Sequence, residues 1–480
     1  MWLGNVTIDI IPDDVLLLIF RLDGLEDTSH LLSWHCLIHV CKRWRTIVFG
    51  SPNFLRLRLV CGLTTTWMEN LGIWPPLPIA IKNIIPSSQP DKYDFNDLVD
   101  TSIAHRSRVC EIDLCHLTSS QLLQLFSAMQ EKFPALTHLL LGSNDDDEFP
   151  APALPDGILG EYANRLQSLA LYDIPIPALP KLFLPVTDLV ELKISHFGLI
   201  SPEEIVTSLA MLAKLRSLTI VFESPQSHLD FESRRLPPLT RSILPALGYL
   251  VIKGICEDLE DFSARIDAPL LYAIRITFLD QLINAQPINA QQLSQFIGRT
   301  PNFKTFEEAH ITCCYTNVTV ELDPSFSRFI ELEISSAYFS YMEPSILMSS
   351  LPPLPTVERL YFHAVGLTPN LKEIWCIKNT QWLDLSHSFT ALKELHFSRK
   401  FASTIMPMLQ AALVGERVTD VLPALRHIFL PKFELSEPIQ EAIQQFVTVR
   451  QLSGHPLTVH MSTSDSAMNP MRASVPIPLN

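Results

Sequence analysis

One arrangement of apolar and polar positions recurs along the chain, apolar-x-x-apolar-x-apolar. It begins at Val109, Leu136, Leu166, Leu189, Leu215, Leu247, Leu271, Phe303, Phe329, Val357, Leu392 and Leu425. The clearest copies read LTHLLL, LQSLAL, LVELKI, LRSLTI, FIELEI, VERLYF and LKELHF. The last three positions alternate as a short strand does, and the first apolar residue packs beneath the turn that enters it. Six copies carry proline two positions earlier, at Pro134, Pro245, Pro269, Pro301, Pro355 and Pro423, where a fixed φ and a missing N–H suit a corner. Between the phrases, SSQLLQLFSAMQEKF, EEIVTSLAMLAKL and NAQQLSQFIG space apolar residues by three and four, predicting helices.

Residues 9–59 lack the phrase and read as helical. IPDDVLLLIFRL opens on Pro12, which needs no N–H in a first helical turn, followed by Asp13 and Asp14 where the helix dipole favours negative charge. Val15 to Phe20 are all apolar, so this helix must be covered on more than one side. A second helix is expected to carry Leu37, Val40, Cys41, Trp44, Ile47 and Val48 as one continuous stripe, with Lys42, Arg43 and Arg45 beside it, ending at Gly50-Ser51-Pro52. Residues 61–100 are proline-rich and read as a connector with a strand or two, 101–460 as the repeat domain, and 461–480 as a flexible tail.

Composition narrows the function. The 480 residues are 47% hydrophobic and 18% charged, as a folded chain requires, and too many for one ordinary core. A net charge of −15 opposes nucleic-acid binding, although Lys42, Arg43, Arg45, Arg56 and Arg58 form a basic island without an acid between them. Nine cysteines, none in CxxC spacing and mostly in apolar runs, read as reduced core residues of an intracellular protein. No secretory signal or membrane-length apolar run is visible, so a cytoplasmic or nuclear location without membrane contact is expected.

The N-terminal residues resemble an F-box: Ile11-Pro12-Asp13-Asp14-Val15-Leu16-Leu17-Leu18-Ile19-Phe20, followed by Val40-Cys41-Lys42-Arg43-Trp44-Arg45. The segment between them, RLDGLEDTSHLLSWHCLIH, is several residues longer than the family pattern. The eleven phrase intervals average about 29 residues, and the phrase resembles a leucine-rich repeat. It departs from that pattern at the ninth position, where only Asn144 supplies the usual asparagine and the unit at Phe303 barely fits. Together the two resemblances imply an α/β repeat protein, a small all-helical F-box followed by a curved leucine-rich-repeat-like solenoid, as in fungal F-box proteins. The competing reading is an irregular α/β domain whose strands share a pattern by coincidence.

What the F-box resemblance implies is a substrate adaptor of a Skp–cullin–F-box ubiquitin ligase. Pro12, Leu16, Ile19, Phe20, Val40, Cys41 and Trp44 match motif positions that contact the Skp-family linker protein, and the basic residues beside them would meet its acidic surface. A scaffold using the same helices without a cullin is the alternative, and the same stripe packing on the first repeats with no partner is a third. The repeats would hold an unidentified protein substrate through outward strand residues, of which Arg359, Tyr361, His363, Glu394, His396, His427 and Phe429 form a mixed aromatic and titratable set.

No catalytic site is expected, nor a cofactor or metal. The 15 glycines form neither GxGxxG nor GxxxxGK, and GxSxG and HExxH are absent. His35, Cys36, His39 and Cys41 fall within one helical stretch and cannot all converge on zinc. Asp145-Asp146-Asp147-Glu148 lacks calcium-loop spacing and reads as a solvated loop.

Overall fold

The computed structural model describes residues 8–23, 33–62 (except 53 and 56), 76–83, 95–222 (except 145–149, 159 and 196–199), 241–279, 290–335 (except 315–316 and 324–327), 354–365, 389–399, 422–431 and 437–462. The acidic run at 145–148, Arg56, Cys376 and residues 463–480 lie outside these. The chain divides into two compact units, Met1–His196 and Phe197–Asn480.

The first unit opens with three helices: α1 (Asp13–Asp23), α2 (Ser33–Val40) and α3 (Lys42–Gly50). Strands β1 (Leu59–Gly62) and β2 (Ile79–Lys82) follow, then α4 (Phe95–Ala104), β3 (Val109–Leu117), α5 (Ser119–Ala128), β4 (His138–Ser143), β5 (Ser168–Tyr172), α6 (Leu179–Phe183) and β6 (Glu191–Ser195). Neighbouring strands pair in parallel in sequence order, β1 to β6. Residues 61–100, expected as a connector with a strand or two, supply the end of β1, all of β2 and the start of α4.

The second unit holds α7 (Pro202–Leu209), β7 (Ser217–Val221), β8 (Ser242–Ile243), β9 (Tyr249–Gly254), α8 (Cys256–Arg265), β10 (Ile266–Asp267), β11 (Ala273–Leu279) and α9 (Gln291–Arg299). It continues with β12 (Glu308–Cys313), β13 (Asn317–Leu322), β14 (Phe329–Ser335), β15 (Arg359–Ala364), β16 (Glu394–Phe397), β17 (His427–Pro431), α10 (Glu437–Leu452) and β18 (Thr458–Ser462). Its sheet runs β7-β9-β11-β14-β13-β12-β15-β16-β17-β18, while β8 and β10 pair separately. Both units are therefore mixed α/β, with mostly parallel strand pairs and helices between several of the strands among the described residues.

The recurring phrase has a definite local structure. At Leu136, Leu166, Leu189, Leu215, Leu247, Leu271, Val357, Leu392 and Leu425 the strand begins two residues after the first apolar position. That residue closes a tight turn: the N–H groups of Leu136, Leu189, Leu215, Leu271 and Leu425 donate to the carbonyl three residues earlier at 3.1–3.2 Å. All six prolines occupy the second position of such a turn, where their fixed φ matches what the turn requires. Fixing that dihedral matters more here than the missing N–H. The first apolar residue is then buried beneath the turn, and the strand's alternation sends Leu139 and Leu141, Leu169 and Leu171, or Leu360 and Phe362 into the core.

Three expectations need correction. The stripe from Leu37 to Val48 does not lie on one helix: Cys41 is extended (φ −158°, ψ 169°) and caps α3, its Sγ accepting from the Trp44 N–H at 3.4 Å. Neither glycine nor proline marks this break, because a thiol performs the task usual for serine or aspartate. Second, the succession of repeats is interrupted at the Phe303 and Phe329 phrases. There β12, β13 and β14 form an antiparallel meander laid into the sheet in reverse, so that β14 joins β11 and β12 joins β15. Third, Met461 and Ser462, expected in the tail, belong to β18, paired in register with Leu430 and Pro431.

Candidate functional site

Two surfaces concentrate unusual side chains, one in each unit. In the first, α1 divides its apolar residues between two faces. Leu16 and Phe20, four apart, are buried at 1% and 4% exposure. Val15, Leu18, Ile19 and Leu22, spaced three, one and three, form an exposed face at 40–69%. Ile8, Ile10, Val40 and Phe54 are exposed as well, so residues 8–54 hold eight of the sixteen exposed large hydrophobic residues found among the described residues. Single exposed apolar residues are ordinary, whereas a concentration on one helix face marks a contact surface.

The expected linker-contacting set thus splits. Pro12, Ile19, Val40 and Cys41 are exposed, Leu16 and Phe20 are internal, and Trp44 is half-buried with its ring 4.7 Å from that of Phe20. Leu16 and Phe20 hold the helices together and present nothing to a partner. The basic island is also largely spent within the unit. Arg43 bonds Asp13 and the Ile11 carbonyl, Arg45 Nε donates to the Ile38 carbonyl at 3.0 Å, and Arg58 pairs with Glu111. Trp34, which the sequence reading passed over, is 8% exposed and sends its indole N–H to the Arg58 carbonyl, fastening α2 to the segment leading into β1.

In the second unit the outward positions of five strands align. His310 on β12 pairs in register with Tyr361 on β15, Tyr361 with His396 on β16, His396 with Phe429 on β17, and Phe429 with His460 on β18. In-register side chains on one face sit at the strand spacing, close to the separation at which flat rings stack. The centroids are 4.4, 4.4, 4.2 and 4.7 Å apart, with interplanar angles of 12°, 21°, 3° and 13°. Five rings therefore form one row across five strands.

Two further histidines flank this row. His363 Nε2 lies 3.4 Å from His310 Nδ1, and His427 Nδ1 lies 3.1 Å from His460 Nε2. Arg359 is bonded to Glu308 at 2.7 Å, and Glu394 lies 3.3 Å from His396 Nε2. Burial, followed by the neighbouring His310 and His396, pushes the His363 imidazole down to about 4, so it is neutral at pH 7. Burial likewise lowers His396, against the opposing pull of Glu394. The row is a strip of stacked rings, bordered by the Arg359–Glu308 ion pair.

Every residue of the expected substrate-facing set, Arg359, Tyr361, His363, Glu394, His396, His427 and Phe429, lies on this face. His310 and His460 were missed. His310 sits inside the meander, where the phrase fails, and His460 follows the last phrase; the apolar-polar alternation of EAHITC and LTVHM was the available signal.

The cysteines divide between surface and core. Cys61, Cys256 and Cys313 are buried as expected, whereas Cys36 and Cys41 are exposed. Among the described residues, no group of three or more His, Cys, Asp or Glu side chains is placed to hold a metal ion, and no helix is long and apolar enough to cross a membrane.

A repeat protein with one apolar helical face and one aromatic strand face is what these observations define. Neither a protein-family model nor a curated protein sequence matches the chain. Among solved structures, similarity is found to the leucine-rich repeat-containing protein LegL7 from Legionella pneumophila, with 13% identity over 86% of this chain and 100% of that one, and a TM-score of 0.27. The complex of Rad7 and Elc1 in yeast is matched with 12% identity over 81% of this chain and 90% of that chain, at a TM-score of 0.26.

Proposed function

We propose that this protein is a non-catalytic adaptor whose N-terminal helices dock a Skp-family linker and whose second unit holds a protein substrate for a cullin-type ubiquitin ligase. The observation that carries the reading is the exposed face of Val15, Leu18, Ile19 and Leu22, set on the same helix as a buried pair at Leu16 and Phe20. These residues fall within the stretch that resembles the F-box opening. A helix that keeps one apolar face for its own fold and shows another to solvent is built to bury the second against a partner. The row of rings supplies preorganised aromatic contact area, the kind that concentrates binding energy at protein interfaces.

Co-purification of the full chain with a Skp-family linker tests the docking. Ile19→Asp and Val40→Asp place a charge on exposed positions, so each variant should keep its melting temperature and lose the linker. If both remain folded and capture the linker as well as the parent chain, the adaptor reading fails. Leu16→Asp would be uninformative, because Leu16 is internal and its replacement unfolds the helices. Adding a cullin to the purified pair distinguishes a ligase adaptor from a scaffold.

A further inference from the structure

We infer that His427 and His460 form a two-histidine site for a late first-row divalent cation, Cu²⁺ most tightly, then Zn²⁺ or Ni²⁺. The inference is independent of the adaptor reading. His427 on β17 and His460 on β18 are diagonal neighbours on adjoining parallel strands, since His427 pairs in register with Thr458 and Phe429 with His460. Their facing nitrogens, Nδ1 of His427 and Nε2 of His460, are 3.1 Å apart, and the ring centroids are 5.2 Å apart with a tilt of 45°.

That separation has a chemical meaning. Two imidazole nitrogens bound to one ion at about 2.0–2.1 Å, with an angle between about 95° and 110°, must lie roughly 3.0–3.4 Å from each other. In the metal-free chain one nitrogen carries a proton that it donates to the other. On binding, that ring takes the tautomer protonated at its other nitrogen, so both facing lone pairs converge on the ion with no net loss of a proton. Both residues are half-buried, which leaves room for water to complete the coordination shell. Imidazole nitrogen is a preferred ligand for Cu²⁺, Ni²⁺ and Zn²⁺, and the general affinity order places Cu²⁺ first.

Preorganisation favours the site. His460 stacks on Phe429 at 4.7 Å, and His427 lies 6.2 Å from the same ring, so both imidazoles are held in place by the sheet before any ion arrives. The second histidine pair supplies an internal contrast. His310 and His363 are 7% and 9% exposed, their nitrogens are 3.4 Å apart, and an ion with its waters has no room to reach them. A bound ion would also join β17 to β18, the last strand of the sheet, and stabilise the folded chain by mass action.

The test is titration of the full chain with CuCl₂ and ZnCl₂ by calorimetry, with the electron paramagnetic resonance spectrum of the Cu²⁺ complex as a second readout. All proteins carry His39→Ala, which breaks the four-residue spacing of His35 and His39 in the sequence, a spacing able to bind such ions by itself. The expected result is one ion per chain, a nitrogen splitting pattern from two imidazoles, and a loss of affinity of about tenfold or more in His427→Ala and in His460→Ala. His363→Ala should bind as the parent does. Failure to bind either ion at about 100 μM, or binding unaltered in both His427→Ala and His460→Ala while their melting temperatures are retained, overturns the assignment. If either alanine variant unfolds, the corresponding Phe variant preserves the ring stack and is read in its place.

Discussion

Arg43 on α3 donates from Nε to the Asp13 carboxylate at the start of α1 over 2.8 Å, and its Nη2 also reaches the Ile11 carbonyl. One guanidinium therefore joins a helix N-terminus to the third helix of the bundle. Asp13 also stands where the α1 dipole favours a negative charge. A residue that reads as attraction for an acidic partner is, in the fold, an internal fastener.

The Arg43–Asp13 pair is partly exposed, with side-chain exposures of 34% and 65%, so its coupling should be small. A double-mutant cycle with Arg43→Ala and Asp13→Ala, followed by urea unfolding, should give about 0.5–1 kcal/mol, decreasing in high salt. A coupling near zero would mean that the pair only orients the helices.

Thiol chemistry should separate the cysteines. Cys36 and Cys41 are exposed, whereas burial pushes the Cys61 thiol up to about 12 and raises Cys313 as well. A thiolate is the reactive form, so the native chain should label quickly at Cys36 and Cys41 and only on unfolding at Cys61 and Cys313. If the linker covers α3, its addition should slow labelling at Cys41 specifically, which peptide mapping would report.

Acid should weaken the second unit. The His363 pKa is about 4 in the folded chain, below the ordinary imidazole value of about 6.5, so the unfolded chain binds the extra proton between these limits. The stability from keeping His363 neutral is present above about pH 6.5 and is lost as pH falls towards 4, on the order of 3 kcal/mol in all. His363→Phe should flatten that part of the stability–pH profile measured by thermal unfolding.

Glu260 on α8 caps the following repeat helix, its two oxygens accepting from the Gln292 and Leu293 N–H groups of α9 at 2.8 and 2.7 Å. Ala290 at the helix cap has no side chain able to do this. Glu260→Ala leaves both donors unpartnered and should cost about 1–2 kcal/mol, with Glu260→Gln intermediate. Chemical denaturation of the three proteins checks the order.

Much of this organisation was legible because it is local. The phrase from Leu136 to Leu425 encodes a proline-bearing turn, a buried leucine and a short strand, each set by neighbours within about six residues. The start of α1 and the helices at 119–128, 202–209 and 291–299 were likewise visible in capping chemistry and spacing. The candidate strand face was legible through alternation alone, which selects Tyr361, His396 and Phe429 but says nothing of their being adjacent.

What only the tertiary structure decided depends on contacts across many residues. That Cys41 ends one helix and begins another, that Arg43 turns inward to Asp13, and that Leu16 is internal while Ile19 is exposed follow from how three helices pack. The reversed meander of β12 to β14 brings His310 beside Tyr361 across 51 positions, and strand register then places Phe429 against His460. Periodicity specifies which face of a strand a side chain occupies. Which strand lies next to it, and so which ring meets which, is set by long-range pairing that no local pattern carries.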